Sequence, residues 1–387
     1  MRSKTLVAHF CLAALLTSYS YAAESTYKYD VVVQSGDEID GISLLNFASV
    51  AMNDLDSVVF EAAYNDGSYE GASGVFTRNH ALLKRGDVVR GLTVNRAFIH
   101  GINDFNELAV SFSYGNGIPV ALGKFVQHGQ SIVPEGKLVK AGDAIEGLTI
   151  LDFRETMIND IGEIVFSADY SGPSGGGIGV FTRDRVLLKM GSEISGIPLS
   201  GNNSFNRLYG LSDYGTLVFD TSGFQPDLGI TQTGAFTQHK VLALPGDTVD
   251  GISLTGVFSP AISHFGRSAF TGEYADTSDC SSCIGSAVFG PGGLVAKTGD
   301  TISGITLTSV VSEGINDDGV VLMQADFLNG YGLFTKDSVV AATGDTLAGF
   351  QVEGFVNSQI NDVGDVAFSA FEAVLLAKHR NGAEKHN

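Results

Sequence analysis

Hydrophobic and polar positions alternate in short runs along most of the chain, and no stretch sustains the spacing of an amphipathic helix. A typical run is Leu217-Val218-Phe219, which is apolar and bounded by polar turn residues. Such runs predict short β-strands, and the 49 glycines suit the many turns that would connect them. The pattern therefore predicts an all-β chain.

A Gly-Asp signal recurs along the whole chain at intervals of about 45 to 56 residues. Each copy has an aliphatic residue three positions after its glycine and a second glycine five positions after it. The copies begin at Gly36, Gly86, Gly142, Gly191, Gly246, Gly299 and Gly344, and Ser192 replaces aspartate in the fourth. The regularity indicates seven structural repeats.

A second signal, Asn-Asp or a variant of it, usually followed by x-Gly and an apolar run, lies downstream of each first one. Its copies begin at Asn53, Asn103, Asn159, Ser212, Ser263, Asn316 and Asn361. Asn and Asp side chains accept hydrogen bonds from nearby backbone amides, and Gly takes the positive φ of a bulged turn, so the signal predicts a hairpin. A third run, such as Gly179-Val180-Phe181, leads back to the next Gly-Asp, so each repeat is predicted to contain four strands.

The chain begins and ends within a repeat. Tyr29 to Val33 precedes the first Gly-Asp, and Ala373 to Ala377 follows the last Asn-Asp hairpin. Because these fragments are complementary, they predict one blade built from both ends, which closes a ring and hides its edges. We therefore predict a seven-bladed β-propeller with four-stranded blades, whose last blade combines C-terminal strands with an N-terminal strand and brings Val31 close to Leu375.

Residues Asn361 to Phe368 follow the pattern Asn-x-x-Gly-x-Val-Ala-Phe, and altered copies begin at Asn159, Ser212, Ser263 and Asn316. This set resembles the bacterial secreted proteins with tandem NxxGxVAF repeats. The resemblance covers nearly the whole predicted domain and implies a propeller-like fold with no settled biochemical role. Since the shared pattern is a turn motif, it implies no catalytic residue.

The first residues of the chain combine a basic, an apolar and a small-residue region, which is typical of a secretory signal cut after Ala22. The predicted organisation is a signal peptide (1–22), a single propeller domain (23–380) and a polar tail (381–387). We expect an extracytoplasmic location, with periplasm and medium both open. The later sequence has no other long apolar span, so no membrane insertion is predicted.

The whole sequence has 23 basic and 43 acidic residues, a formal net charge of −20. Acidic surfaces repel phosphate, so a nucleic-acid partner is not expected. In an oxidising compartment Cys280 and Cys283 are predicted to form a disulfide that pins a long hairpin loop. A redox role would need a thioredoxin-like βαβ context, which the sequence does not have.

The repeated Gly-Asp aspartates could form a ring that attracts a cation, but we expect each to accept amide hydrogen bonds within its own turn. The closely alternating Asp and Asn of a calcium loop are absent from the sequence. No metal and no cofactor are therefore predicted.

Binding sites on repeat scaffolds depend on what differs between repeats, since repeated residues serve the architecture. Three positions before the Asn or Ser of the second signal, the residue type varies. If this strand is innermost, these side chains converge near one mouth of a central channel: Val50, His100, Thr156, Tyr209, Pro260, Glu313 and Ser358. With Arg154 and Arg207 on the same segments, the predicted ligand-binding residues are His100, Arg154, Thr156, Arg207, Tyr209, Glu313 and Ser358.

Three functions remain open at this point. The first is an exported, monomeric, non-catalytic binding module that recognises a glycan or an envelope protein. The second is an enzyme of the polysaccharide lyase type, in which His100 or Tyr209 moves a proton and Arg207 neutralises a carboxylate. The third is a structural surface component without a small ligand. The sequence has neither the Ser-His-Asp order of a hydrolase nor a phosphate loop, so it favours no other chemistry.

Overall fold

The computed structural model describes residues 26–65, 70–115, 120–128, 131–199, 207–225, 230–276 and 283–380. Regular structure in these ranges is β-strand, and none of it is a helix long and apolar enough to cross a membrane. The predicted signal peptide, the predicted polar tail and Cys280 of the predicted disulfide lie outside the described residues.

Seven sheets of four or five strands form the blades, and a two-residue strand precedes the innermost strand of every blade. In blades 4 and 7 this strand belongs to a separate two-stranded ribbon. Blade 1 contains Glu38–Ile39, Ile42–Met52, Val58–Asn65, Glu70–Thr77 and Ala81–Leu83. Blade 2 contains Val88–Val89, Leu92–Ile102, Glu107–Tyr114, Val120–His128 and Ser131–Lys140. Blade 3 contains Ala144–Ile145, Leu148–Ile158, Ile164–Gly172, Gly175–Thr182 and Val186–Lys189.

The next three blades repeat this arrangement. Blade 4 contains the ribbon Glu193–Ile194 and Ile197–Pro198, then Leu208–Leu211, Leu217–Gln225, Ile230–Thr237 and Val241–Ala243. Blade 5 contains Thr248–Val249, Ile252–Ile262, Ser268–Asp276, Cys283–Gly290 and Gly293–Lys297. Blade 6 contains Thr301–Ile302, Ile305–Ile315, Val321–Phe327, Gly330–Phe334 and Val339–Ala342.

Blade 7 closes the ring. After the ribbon Thr346–Leu347 and Phe350–Gln351 it contains Asn357–Ile360, Val366–Ser369 and Ala373–His379, and its outermost strand is the N-terminal Tyr27–Gln34. The last pair is antiparallel, with Val31 opposite Leu375. This confirms the predicted seven-bladed ring and its closure by both ends of the chain.

The Gly-Asp turns connect one blade to the next. The first glycine of each turn has a φ between 80° and 95°, which a side chain would disfavour. The aspartate then accepts the amide hydrogen of the residue three positions earlier, as in the 2.9 Å bond from Gln34 N to Asp37 Oδ2. Ser192 Oγ accepts the equivalent amide at 3.0 Å, so serine performs the same turn function in the fourth repeat. These aspartates serve their own turns, as expected.

Aromatic pairs fill the blade cores. The second and third strands of four blades place two phenylalanines directly opposite each other, with ring centroids 5.2 to 6.1 Å apart. These stacked pairs are Phe60–Phe76, Phe166–Phe181, Phe219–Phe236 and Phe270–Phe289. Cross-strand aromatic contacts of this kind add to the stabilisation from burial alone, and they explain why phenylalanine recurs in the repeat.

The Asn or Ser of the second signal is buried in every blade. Asn103 Oδ1 accepts the amide hydrogens of Phe105 and Glu107 at 3.1 and 2.8 Å, which forms the turn of its own blade. Its Nδ2 donates to the carbonyl oxygen of Asn159 in the next blade at 3.1 Å. The side chain therefore joins two blades as well as shaping one turn.

We expect Asn103→Ala to lower the free energy of unfolding by about 2 to 4 kcal/mol, because buried donors and acceptors would lose their partners. Asn95→Ala is the matched control, since its half-buried side chain donates a hydrogen bond to the carbonyl oxygen of Gly115 and to no other blade. That control should change stability by less than about 0.5 kcal/mol in urea unfolding. Equal effects of the two substitutions would contradict the bridging role.

Candidate functional site

A central cavity is lined by residues from the innermost strands of all seven blades. One level of this cavity is a collar of aliphatic side chains, each directly before the Asn or Ser of the second signal: Met52, Ile102, Ile158, Leu211, Ile262, Ile315 and Ile360. Glycines beside the collar let neighbouring blades approach. A Cβ on Gly210 would lie 2.7 Å from Ile262 Cγ2 and 3.2 Å from its backbone nitrogen.

On one side of the collar, the Asn-Asp turns form a ring of aspartates around the axis. Each turn donates a backbone amide to an oxygen of the next turn, at 2.7 to 3.0 Å, all the way around the propeller. In six blades that oxygen belongs to an aspartate: Asp54, Asp104, Asp160, Asp213, Asp317 and Asp362. The bond from Asp362 N to Asp54 Oδ1 links the last blade to the first.

Blade 5 has His264 in place of the seventh aspartate, and its backbone carbonyl accepts the amide of Asp213 at 2.9 Å. The imidazole extends over the ring, with Nδ1 3.3 Å from Asp160, 3.5 Å from Asp54 and 3.8 Å from Asp362 carboxylate oxygens. Burial opposes a charged imidazole, but the hydrogen bond with Asp54 and the nearby carboxylates outweigh it and raise the pKa of His264 to about 10. His264 is therefore a cation within the ring at neutral pH.

The carboxylates respond unequally to this arrangement. Burial, together with Asp54, raises the pKa of Asp362 to about 7, while burial raises the pKa of Asp160. Burial also disfavours the charged form of Asp54, but hydrogen bonds from His264 and the Asp362 amide lower its pKa overall. Opposite effects on neighbouring acids are expected where several carboxylates share one cation.

Two groups in the ring have metal-ligating types of atom within 4.8 Å of one another, namely Asp54 with Asp160 and His264, and His264 with Asp317 and Asp362. A protonated imidazole has no lone pair at Nδ1 to offer a metal, so binding would require loss of that proton. The prediction that the protein binds no metal stays a prediction.

On the other side of the collar, blade-specific polar residues line the channel. His100, Tyr209, Glu313 and Ser358 line the central cavity. A wider cavity of about 370 Å³ shares Tyr209, Glu313 and Ser358 with it and adds Glu155, Arg207, Gln324, Phe355 and Asn357. Five of the seven predicted ligand-binding residues therefore line one channel region.

Arg154 and Thr156 lie elsewhere. The Arg154 guanidinium pairs with the Asp169 carboxylate of its own blade at 3.0 Å and borders a separate surface cleft. Thr156 is buried and lines neither channel cavity, and its Oγ1 has no hydrogen-bond partner in the described part of the chain. The innermost strand of blade 3 shifts register over Phe153 to Thr156, a longer interval than the shifts at His100, Tyr209 and Glu313 in blades 2, 4 and 6. This wider bulge sets Arg154 and Thr156 apart from their counterparts.

The groups proposed for acid-base chemistry already have partners. Tyr209 donates its phenol hydrogen to Asp220 Oδ2 at 2.7 Å, and burial together with that carboxylate raises its pKa to about 12. Arg207 interacts with Tyr209 and with the carboxylates of Glu155 and Asp220. Desolvation by the channel walls raises the pKa of Glu155 and Glu313, although both side chains face the channel solvent.

His100 occupies a different environment from His264. Its Nε2 lies 2.8 Å from Ser111 Oγ, and burial lowers its pKa to about 4. A histidine with this pKa is neutral through the physiological range. His100 therefore contributes a polar but uncharged side to the channel.

Comparison with known proteins gives remote likenesses only. No family model matches the chain, and no curated protein matches it. The Dos1 propeller and the WD40 β-propeller domain of Doa1 each share 10% identity and a TM-score of 0.42, covering 92% and 93% of this chain and 96% and 100% of theirs. YCF48 from Cyanidioschyzon merolae shares 11% identity and a TM-score of 0.37, over 91% of this chain and 98% of its own. The blade count rests on the strand pairing of this chain itself.

The His100 environment predicts a pH dependence of stability. Below pH 6.5 the unfolded chain binds a proton at His100 that the folded protein does not bind until about pH 4. Folding stability should therefore fall as pH drops through this window, by up to about 3 kcal/mol from this residue. Chemical unfolding at pH 7 and pH 4 measures the loss.

The variant His100→Asn should reduce that pH-dependent loss, while His239→Asn on an exposed turn should retain it. Carboxylates that titrate in the same range affect both variants equally, so the difference between their stability losses from pH 7 to pH 4 is due to His100. If both variants lose the same stability as the unsubstituted protein, the assigned environment of His100 is wrong.

Proposed function

We propose that the protein is an exported, non-catalytic binding module that takes a glycan at the wider end of its central channel. The observation that carries the proposal is the convergence of four chemically different side chains, His100, Tyr209, Glu313 and Ser358, at one level of otherwise repeated strands. The repeated residues are used by turns and blade contacts, so this level is where one blade differs functionally from another. Export is supported by the N-terminal signal pattern and by the resemblance to secreted NxxGxVAF-repeat proteins.

The channel chemistry favours a neutral or amine-bearing sugar. The wider cavity offers hydrogen-bonding groups from Gln324, Asn357 and Ser358, and ring surfaces from Tyr209 and Phe355. A volume of about 370 Å³ is at the lower end of small-molecule sites, which suits one or two sugar units. Glu155 and Glu313 flank Arg207, so an anionic sugar would meet more negative than positive charge.

The lyase alternative has weaker support from the same contacts. A uronate lyase needs an arginine available to its carboxylate and a phenol or imidazole free to remove a proton. Here Arg207 is balanced by neighbouring acids, and the Tyr209 hydroxyl is committed to Asp220. The pairing of Tyr209 with Asp220 and of Arg207 with neighbouring acids fits a ligand-binding site better than a catalytic one.

We expect oligosaccharides of glucosamine or N-acetylglucosamine to bind more tightly than oligogalacturonates of equal length in calorimetric titrations. Glu313→Gln should weaken binding of the glucosamine oligomer by about tenfold, and Tyr209→Phe should also weaken it, because each removes a polar group from the cavity wall. Glu193→Gln, on an exposed ribbon strand, is the charge-matched control and should bind normally.

Preferential binding of the uronate, or formation of an unsaturated product from it, would replace this proposal with the lyase. A glycan array without any bound sugar, followed by recovery of one envelope protein through the channel residues, would indicate a protein ligand. If cells that produce the protein with His100, Tyr209 and Glu313 substituted together keep their normal phenotype, the role of a structural surface component would be favoured.

A further inference from the structure

The Asn-Asp turns carry an apolar residue that the fold does not bury. In six blades the residue directly after the ring aspartate or His264 is large and apolar, and it is 51% to 77% exposed. These six residues, named the apolar crown, are Leu55, Phe105, Ile161, Tyr214, Phe265 and Val363. Blade 6 has the exposed Asp318 at this position.

Folding does not account for the apolar crown. The turn needs the buried Asn or Ser before it and a residue with positive φ after it, such as Gly162 at 76° or Asp56 at 59°. The tip position between them points to solvent, where hairpin turns ordinarily carry small or polar residues. Exposed apolar residues that repeat around one face indicate an interaction surface.

The centre of the same face is strongly acidic. Six aspartates surround the axis, and His264 supplies the cation described for this ring. The side chains of Asp54, Asp160 and Asp362 are 17%, 18% and 27% exposed, so the carboxylates of the ring can be reached from the solvent. The surface therefore combines an apolar rim with a negatively charged centre.

We propose that this face docks a partner protein through a segment that presents a lysine or arginine to the aspartate ring and apolar side chains to the crown. The ring lies beyond the aliphatic collar, since Leu211 of the collar stands between Arg207 and Asp213 along the chain. The central cavity is lined from both levels, by Asp160, His264 and Asp362 of the ring and by Tyr209, Glu313 and Ser358 beyond the collar. The apolar crown lines neither channel cavity, so the docking surface does not depend on the proposed glycan function.

Charge selects this occupant over two others. A membrane surface with anionic headgroups would be repelled by the ring, although its apolar interior would suit the crown. A second copy docked on the same face would bring two acidic rings together, which costs like-charge repulsion. A cationic segment with apolar flanks satisfies both parts of the surface at once.

Synthetic peptides of one apolar sequence with a central lysine, glutamine or glutamate test the proposal with the full chain in isothermal titration. We expect the lysine peptide to bind about tenfold more tightly than the glutamine peptide, with the glutamate peptide weakest, and high salt to reduce the difference. Phe105→Ser with Phe265→Ser should abolish binding. Asp160→Asn keeps the Oδ1 acceptor of the turn and should weaken only the lysine peptide.

Val88→Ser with Leu328→Ser is the matched control, since both residues are exposed apolar side chains outside the turns of the crown. Normal binding by this variant would support the proposal. Equal binding of the three peptides, absence of binding by the lysine peptide, or equal loss in the control variant would overturn it. Crown-dependent sedimentation with phosphatidylcholine vesicles, or a crown-dependent dimer in sedimentation velocity, would overturn it in favour of those occupants.

Discussion

The amide-to-carboxylate hydrogen bonds between neighbouring Asn-Asp turns are the constraint on which the rest of the structure depends. In each blade the turn is shaped by its own Asn or Ser, and it is joined to the next blade by its backbone amide. Because the last blade bonds to the first, no turn is left at an end. One short repeated motif therefore shapes the hairpin, sets the distance between blades and closes the ring.

This constraint also divides the channel into two ends with different freedom to vary. At the turn end, every blade must supply a buried Asn or Ser and an acceptor oxygen, so an aspartate ring is formed as part of the architecture. At the opposite end the strands are held by their ladders, and side chains such as Tyr209 and Glu313 can differ between blades. The proposed recognition of a small ligand is accordingly assigned to the variable end.

Much of the fold was predictable because its signals are local and repeated. The Gly-Asp spacing predicts the blade number, and the complementary ends predict the Val31–Leu375 pairing. The aspartate ring was missed because Asn-Asp was interpreted as a turn motif within one blade, whereas each carboxylate accepts the backbone amide hydrogen of the preceding blade. The exception at His264 was visible in the sequence, but its meaning depends on distances across the axis. Arg154 and Thr156 were misplaced because their strand has a longer register shift than the strands of His100, Tyr209 and Glu313, which alternation does not reveal.

Amide hydrogen exchange at the Asn-Asp turns tests the central claim most directly. Amides at the tips of exposed hairpins ordinarily exchange through local opening, long before global unfolding. If the inter-blade bonds close the ring, the amides of Asp54, Asp104, Asp160 and Asp362 should exchange only at the free energy of global unfolding. Exchange of these amides at the rate of an open surface turn, while the blade strands stay protected, would contradict the account.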